Sequence, residues 1–537
     1  MARQGTKPIG ETFDYIVVGA GSSGSVIAAR LSQNGASVLV IEAGPAKVNA
    51  VSRIPGFHKV AWNFRPFNWS FVSEPEANLG GRRIQVPRGK VIGGSSAING
   101  MAFLRGSPLD FDAWAQSGAH GWSYDDVLPY FRKSETSWND DVHRHGHDGP
   151  VRVVVRKGSH QFLDEIAQAA QQAGYPTTQD PDGDFHEGVS PMPQNSGGGV
   201  RNGTNSVYLE PALRSGNCRL IANALAKRVL FEGKRAVGIE YEAEGALHNA
   251  LAAKEVILCG GAYNSPQLLM LSGIGNAGDL RAMGIEPLVD LPGVGANLQE
   301  HPMVYIDFGA RESLLSTLRM DRMALALGRW MIGHGGALAG NGVSGNVLLR
   351  TLPELDRPDI QIMLTTIRSD AQPWLLRRQS HKWTWPICLL HPFSRGSVTL
   401  KSPDFRDHPA IRFNMFDDPR DMETMIRGIR SAQRIAGQPG LSHLLTGPMA
   451  PGPEVATDGE LEAFIRQHAE ITHHPVGTCR MGQDELAVVD PTLQVSTVSG
   501  LRVADASVIP LVPGANTNPA AIMIGERASD LILGRSA

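Results

Sequence analysis

At 537 residues the chain is longer than one hydrophobic core usually organises, so two or more domains are expected. A net charge of −3 gives no electrostatic footprint for nucleic acid, and no apolar run is long enough to span a bilayer. The four cysteines, Cys218, Cys259, Cys388 and Cys479, lie far apart, with neither metal-ligand spacing nor a disulfide framework.

Residues 1–11 are polar and lack the apolar core of a signal peptide, so a cytoplasmic location is expected, compatible with a loose membrane association. Residues 13–18 read as a buried strand, 22–33 as a helix and 38–41 as the next parallel strand. Between the first strand and the helix, Gly19, Gly21 and Gly24 keep the G-x-G-x-x-G spacing, and Glu42 closes the second strand. In a dinucleotide site the first glycine permits the tight turn, the second lets the backbone approach a pyrophosphate, and the third lets helix and strand pack closely. An acid about 20 residues on holds the ribose hydroxyls. At this point the pattern fits NAD as well as FAD.

Residues 57–71, with Trp62, Phe64, Phe67 and Trp69, read as a loop tacked down by its aromatics rather than a pocket wall. The small-residue run over 87–100 implies a backbone pressed against a flat or charged ligand. Residues 121–131 read as a capped structural helix. His143, His145 and His147 alternate as metal ligands can, but Asp140, Asp141, Arg144 and Asp148 around them point to a solvated loop. An amphipathic helix over 160–173 and antiparallel strands over 220–244, turning at Glu232-Gly233-Lys234, follow. Residues 254–259 form another buried strand, then the Gly260-Gly261 turn and a helix from Gln267.

Between 305 and about 467 the character changes. A long apolar-faced helix over 314–331, strands over 359–365, 385–390 and 397–400, and a helix over 422–436 read as a second domain with its own sheet. Two chemically suggestive stretches close the chain: His473-His474-Pro475 to Gly482, and 500–518 before a last helix, in which Pro519 suits the first helical position with Asn518 or Thr517 as cap.

These blocks together (the glycine triplet with Glu42, then 89–106, 261–275, 474–482 and 500–518) resemble the glucose–methanol–choline (GMC) family of flavin oxidoreductases over nearly the whole chain. The resemblance implies an α/β fold. A Rossmann-like FAD-binding domain (1–155, 202–305 and 468–537) would be interleaved with an α+β substrate-binding domain (156–201 and 306–467) built on an antiparallel sheet. It implies FAD as cofactor and no metal. Gly19, Gly21, Ser22, Ser23 and Gly24 would cradle the pyrophosphate, with Glu42 and Ala43 at the adenosine ribose. Ala226 stands where the family commonly has a valine whose backbone touches adenine. Val91, Gly94, Ser95, Asn99, Gly100, Met101 and Ala102 would lie along the flavin, and Gly261 belongs to the second family signature. Asp505 and Ala506 would meet the pyrophosphate and ribityl chain; Asn516, Thr517 and Asn518 would face the pyrimidine end of the flavin. Some members bond the flavin covalently through a histidine at the position of Ile98, so non-covalent FAD is expected here.

By the same resemblance His474 is the catalytic histidine and Asn516 its partner, with His473 lining the pocket and Cys479 in the core. The implied reaction oxidises a primary or secondary alcohol to an aldehyde or ketone. His474 takes the hydroxyl proton, an imidazole titrating in the right range, and hydride goes to flavin N5. Electrons then pass to a quinone, a dye-like acceptor or oxygen, with the dehydrogenase preferred to the oxidase. Trp330, Met363, Trp383, Trp385 and Phe393 read equally as an apolar wall or as core. No carboxylate stands out as partner for a quaternary ammonium, so a medium-sized aliphatic, aromatic or polyether alcohol is expected rather than choline. The alternatives are an FAD-scaffold lyase of the hydroxynitrile lyase type and a flavin photodecarboxylase.

Overall fold

The structure, a computed structural model, describes residues 11–156, 162–183, 187–311, 320–365 and 381–535. The apolar strand Thr12–Val18 is centred in a mixed sheet of order Cys218–Ile221, Val38–Ile41, Thr12–Val18, Ala246–Leu258, Arg235–Ala243, Leu225–Glu232. Its neighbours on both sides run parallel, and Leu501–Val503 adds a further parallel strand to Ala246–Leu258. Val38–Ile41 is wholly buried, as an all-apolar run in a parallel sheet should be. Val18 pairs with Ile41 on one side and Leu258 on the other, so three strands end level. Gly19, Glu42 and Cys259 therefore emerge side by side at the carboxyl edge, where ligands of doubly wound sheets bind.

Helix Ser22–Gln33 leaves this edge and packs on the last helix, Thr517–Ile532. Ser23 Oγ donates to the Ala521 carbonyl at 2.7 Å. The fully buried Glu526 is held by Arg30 at 2.7 Å and by the Tyr208 hydroxyl at 2.8 Å. The two ends of the chain thus close one layer.

A second sheet, wholly antiparallel, has the order Leu445–Ala450, Pro302–Ala310, Lys382–Leu389, Ile360–Thr365, Val343–Leu349, Gly188–Pro191. Successive side chains of a strand point to opposite faces, and that alternation divides this sheet. Val304, Ile306 and Phe308 join Ile360, Ile362 and Leu364 in a core under helix Pro419–Ala436. Met303, Tyr305, Met363 and Thr365 face a cavity instead.

Three local expectations change. His145 is not on a solvated face: it is 1 % exposed, between Glu135 at 3.0 Å and Asp180 at 3.1 Å. The final helix is capped at Asn516, not Thr517 or Asn518, because the chain turns helical at Thr517, two residues before Pro519. The helix after Cys259 begins at Gly261, ahead of Gln267, with Pro266 inside it. The expected helix over 314–331 is described as Met320–Gly333 and that over 160–173 as Leu163–Gln172; positions 314–319 and 160–161 lie outside the described residues. No helix among the described residues is long and apolar enough to cross a membrane.

Candidate active site

The carboxyl edge of the first sheet opens on two adjoining cavities, of about 1250 and 1410 Å3, which share Ser22, Arg88, Ser95, Ala506 and Ala521 in their walls. Gly19, Gly21, Ser22, Ser23, Glu42, Ala43, Gly94, Ser95, Ala226, Gly261, Asp505 and Ala506 line the first. Asn99, Gly100, Met101, Ala102, His473, His474, Asn516, Thr517 and Asn518 line the second. Two expected residues stay out of the walls. Gly24 is a packing glycine, since a Cβ there would lie 2.0 Å from the Gly19 carbonyl oxygen. Val91 is fully buried in the core beneath the segment it belongs to.

Backbone crowding shapes the first cavity. Gly19 has φ +104° and a Cβ would meet the Cys259 carbonyl oxygen at 2.5 Å, so only glycine fits the turn. At Gly94 (φ +51°) a Cβ would lie 2.8 Å from Gly21 Cα, which brings the glycine-serine segment directly against the glycine loop. Helices Ser22–Gln33, Gly261–Leu271 and Thr517–Ile532 all begin at the walls, presenting free N–H groups suited to phosphate oxygens. Asp505 fixes this convergence: its Oδ2 accepts from Gly261 N at 2.8 Å and from Ser265 Oγ at 2.5 Å. Glu42 accepts from Ala20 N and Gly44 N, both at 2.8 Å; burial raises its pKa to about 7 against those bonds.

At the far end His474 meets Asn516 and His301. Asn516 Nδ2 lies 3.3 Å from His474 Nε2, and His301 Nδ1 lies 3.0 Å from His474 Nδ1. An amide nitrogen only donates. With the Asn516 amide oriented in this way, Nε2 carries the lone pair, and Nδ1 carries the proton and donates it to His301. Burial first, then His301, His473 and Arg88, hold the His474 pKa well below its ordinary value, so the ring is a neutral base opening on the cavity. His473 adopts φ +66°, a left-handed conformation that costs on the order of 1–2 kcal/mol outside glycine. Arg88 secures it by donating to the His473 carbonyl at 2.7 Å. Glu300 Oε1 accepts from the backbone N–H of His474 at 2.6 Å and of His301 at 2.9 Å. Burial raises the Glu300 carboxyl to about 8, the Arg88 charge and these bonds opposing it.

The residues fit an FAD. The glycine loop leaves Gly21 with no heavy atom closer than 3.9 Å to its would-be Cβ, an open approach for a pyrophosphate. Asn516 Oδ1, Asn518 Nδ2 and His473 Nδ1 are buried polar atoms with no protein partner, and all three residues line the second cavity. An acceptor and a donor side by side at a helix start match the N–H and C=O edge of a flavin ring. The side chain at the covalent-attachment position, Ile98, offers no nucleophile and lines the same cavity.

Several wall and support residues carried no role in the sequence reading: Lys59, Arg88, Glu300, His301, Met303 and Tyr305. Trp62 and Trp69, read as tacking down a loop, also line the second and first cavity respectively. Of the five candidates for an apolar wall only Met363 lines the cavity. Trp383 and Trp385 are fully buried in the antiparallel sheet, Trp330 packs against Ile54 and Leu338, and Phe393 is exposed under Arg420.

A family model described as GMC oxidoreductase matches residues 13–303, and a second with the same description matches 392–525. The chain is 41% identical over 530 residues to an oxygen-dependent choline dehydrogenase of Brucella suis, covering 97% of this chain and 96% of that one. It is also 41% identical over 531 residues to one of Rhizobium etli, with the same coverage. Among solved structures it is similar to pyridoxine 4-oxidase from Mesorbium loti (TM-score 0.87, 27% identity, 96% of this chain and 98% of that one). A formate oxidase of Aspergillus oryzae matches with TM-score 0.91 and 25% identity, covering 98% of both chains.

Proposed function

Because the chain belongs to the GMC oxidoreductase family, whose solved neighbours are FAD-binding flavoproteins, we propose that it oxidises a primary or secondary alcohol to an aldehyde or ketone. The observation that carries the reading is the approach of the Asn516 amide to His474 Nε2, at 3.3 Å, at the end of a trench that fits FAD. FAD, when bound, supplies the acceptor for the hydride. His474 Nε2 takes the hydroxyl proton. One N–H of the Asn516 amide donates to Nε2 in the resting site; its second N–H orients the alcohol oxygen. As His474 becomes cationic, its Nδ1–H bond to His301 gains charge assistance and strengthens. Asn516, Asn518 and the helix N-terminus at Thr517 would hold the flavin edge, the glycine loop would hold the pyrophosphate, with Asp505 fixing the Gly261 turn beside it, and Glu42 would hold the ribose. With Ile98 in the wall the cofactor is held without a covalent bond. The FAD-binding part comprises 1–155, 202–305 and 468–537, and the substrate-binding part 156–201 and 306–467.

The relatives and structural neighbours are named as dehydrogenases and oxidases, which favours redox chemistry over a lyase or a light-driven decarboxylase. The test is anaerobic addition of an alcohol panel to the FAD-loaded protein. Loss of the yellow absorbance is expected, followed on admitting oxygen by peroxide if oxygen is the acceptor, or by slow recovery unless a quinone or dye is supplied. An absorbance that no alcohol bleaches, together with cyanide release from a cyanohydrin or light-dependent CO2 release, would reverse the reading.

A further inference from the structure

Neither His474 nor Asn516 lies within a helix or strand; loops over 472–475 and 509–516 carry them. Reacting groups on loops need support from elsewhere, because about 1 Å of misplacement can cost on the order of a hundredfold in rate. The support is one segment distant from both in sequence, 297–301. Its backbone pairs with the His474 loop on either side of that residue. Gln299 and Val476 exchange N–H to carbonyl bonds at 3.0 Å each, and Thr472 N donates to the His301 carbonyl at 3.1 Å. Leu298 in turn exchanges bonds with Gly396 at 3.0 and 2.8 Å, which holds the segment itself in place.

Two buried side chains divide the rest. Gln299, 2 % exposed, faces the loop that leads to Asn516: its Nε2 donates to the Pro510 carbonyl at 2.9 Å and its Oε1 accepts from Val512 N at 3.1 Å. Asn297 Nδ2 adds a bond to the same carbonyl at 3.2 Å. Glu300 turns to the other loop, where its Oε1 accepts from the backbone N–H of His474 at 2.6 Å. Gln299 therefore uses both ends of its amide, whereas the bond at His474 needs only an oxygen, which a neutral amide would supply as well.

We propose that Gln299 and Glu300 are positioning residues for the oxidation: Gln299 sets Asn516 through the 510–512 turn, Glu300 sets His474 through its backbone N–H, and one segment thereby fixes the distance between the two reacting side chains. The inference rests on the reading of His474 and Asn516 as the reacting pair and adds the residues that hold them.

The experiment uses the alcohol that reduces the unaltered FAD-loaded protein fastest, without oxygen. The limiting rate of bleaching and the half-saturating concentration are measured separately, together with the denaturant midpoint. Gln299→Met and Glu300→Met, of similar length but without the amide or carboxylate, should each lower the limiting rate about a hundredfold. Glu300→Gln should keep it within about threefold of the unaltered protein. The shorter amides Gln299→Asn and Glu300→Asn withdraw the same groups by one methylene. They should each lose about tenfold, and they carry the test if a methionine variant loses its FAD. Because both residues act on one distance, the two changes combined should cost well below the product of the single losses; losses that multiply overturn the shared distance. Glu300→Gln falling as far as Glu300→Met overturns the assignment of Glu300 to that bond. Limiting rates of the FAD-loaded variants within about threefold of the unaltered protein, with only the midpoint lowered, overturn the inference and leave the alcohol-oxidation reading standing. No bleaching of the unaltered protein by any alcohol removes both.

Discussion

His474 and His145 are both enclosed by protein, and they are driven in opposite directions. Around His474 the nearest groups are a second imidazole at 3.0 Å, an amide nitrogen at 3.3 Å and the Arg88 charge, so burial is unopposed and the ring stays neutral. Burial is also the largest single influence on His145, and it too pulls that pKa down. Asp180 and Glu135, at 3.1 and 3.0 Å, together overcome it and hold the ring protonated with a pKa of about 9. Depth alone therefore does not tell what a histidine does. The sign of the charges it faces does. The neutral ring presents a lone pair to a cavity; the cationic one donates to Glu135 and Asp180, while Arg105 ties the same loop down through the Arg144 carbonyl, away from both cavity walls.

The comparison breaks most visibly at its catalytic member. His474→Ala should lower the rate of anaerobic bleaching by about a thousandfold, the usual scale for a positioned general base, while the flavin absorbance shows FAD still bound. Turnover near the starting level would mean that another group takes the proton. The other member should fail in stability instead. Glu135→Gln leaves Arg105, 1 % exposed, and His145 with one carboxylate fewer in a buried cluster. Breaking such a pair costs about 3 kcal/mol or more, read as a lower denaturant midpoint, with the bleaching rate of the folded protein little changed.

Most of the frame was legible because it is written locally. The glycine spacing, the all-apolar strands and the acid after the second strand each follow from neighbours in sequence; of the second sheet only Ile360–Thr365 and Lys382–Leu389 were read as strands, and the strand read at 397–400 pairs with Ala410–Arg412 in a sheet of its own. His474 and Asn516 were legible only by family resemblance. Legibility stopped where partners are distant along the chain. His301 reaches His474 across 173 positions. Asp180 reaches His145 across 35, and Arg105 reaches the Glu135 they share across 30, so a buried ion cluster read as a solvated stretch of His, Asp and Arg. Trp383 and Trp385, which read equally as wall or core, lie in the core because alternation along Lys382–Leu389 turns them to the packed face. Met363 was placed correctly, on the opposite face of the neighbouring strand.

Acid and alkali should then dissect the two groups by sign. The folded pKa of His145, about 9, lies above the unfolded value near 6.5. Its contribution is therefore fully present below about pH 6.5 and is lost as pH rises through 9, by roughly 3 kcal/mol. His58, His301, His391 and His473 titrate near 3 in the folded protein. Below about pH 6.5 the unfolded chain binds protons that the folded one refuses, so stability falls as pH drops from 6.5 toward 3. Thermal midpoints from pH 4 to 10 should rise and then fall. His145→Asn should make the alkaline side shallower, the rest of it coming from Glu42 and Glu300, whose carboxyls are raised to about 7 and about 8, and should leave the acid side in place; loss of both limbs together would mean that the two clusters are not independent.

His301 offers the finest separation, because it touches the reaction only through another ring. Removing it in His301→Ala leaves the His474 Nδ1 proton without its acceptor, so the tautomer with a basic Nε2 rests on the Asn516 amide alone. One hydrogen bond of this kind is worth about 1.4 kcal/mol, or about tenfold in kcat/KM. A loss of packing alone would lower stability and leave the pH profile of the folded enzyme unchanged. A loss of tautomer control moves the profile: the acid limb, which reports His474, should shift upward, since His301 is one of the groups that hold that pKa down. His301→Gln, whose amide oxygen can accept the same proton, should recover a good part of the rate. Recovery without a shifted acid limb in the alanine variant would assign His301 to packing and leave Asn516 as the residue that orients His474.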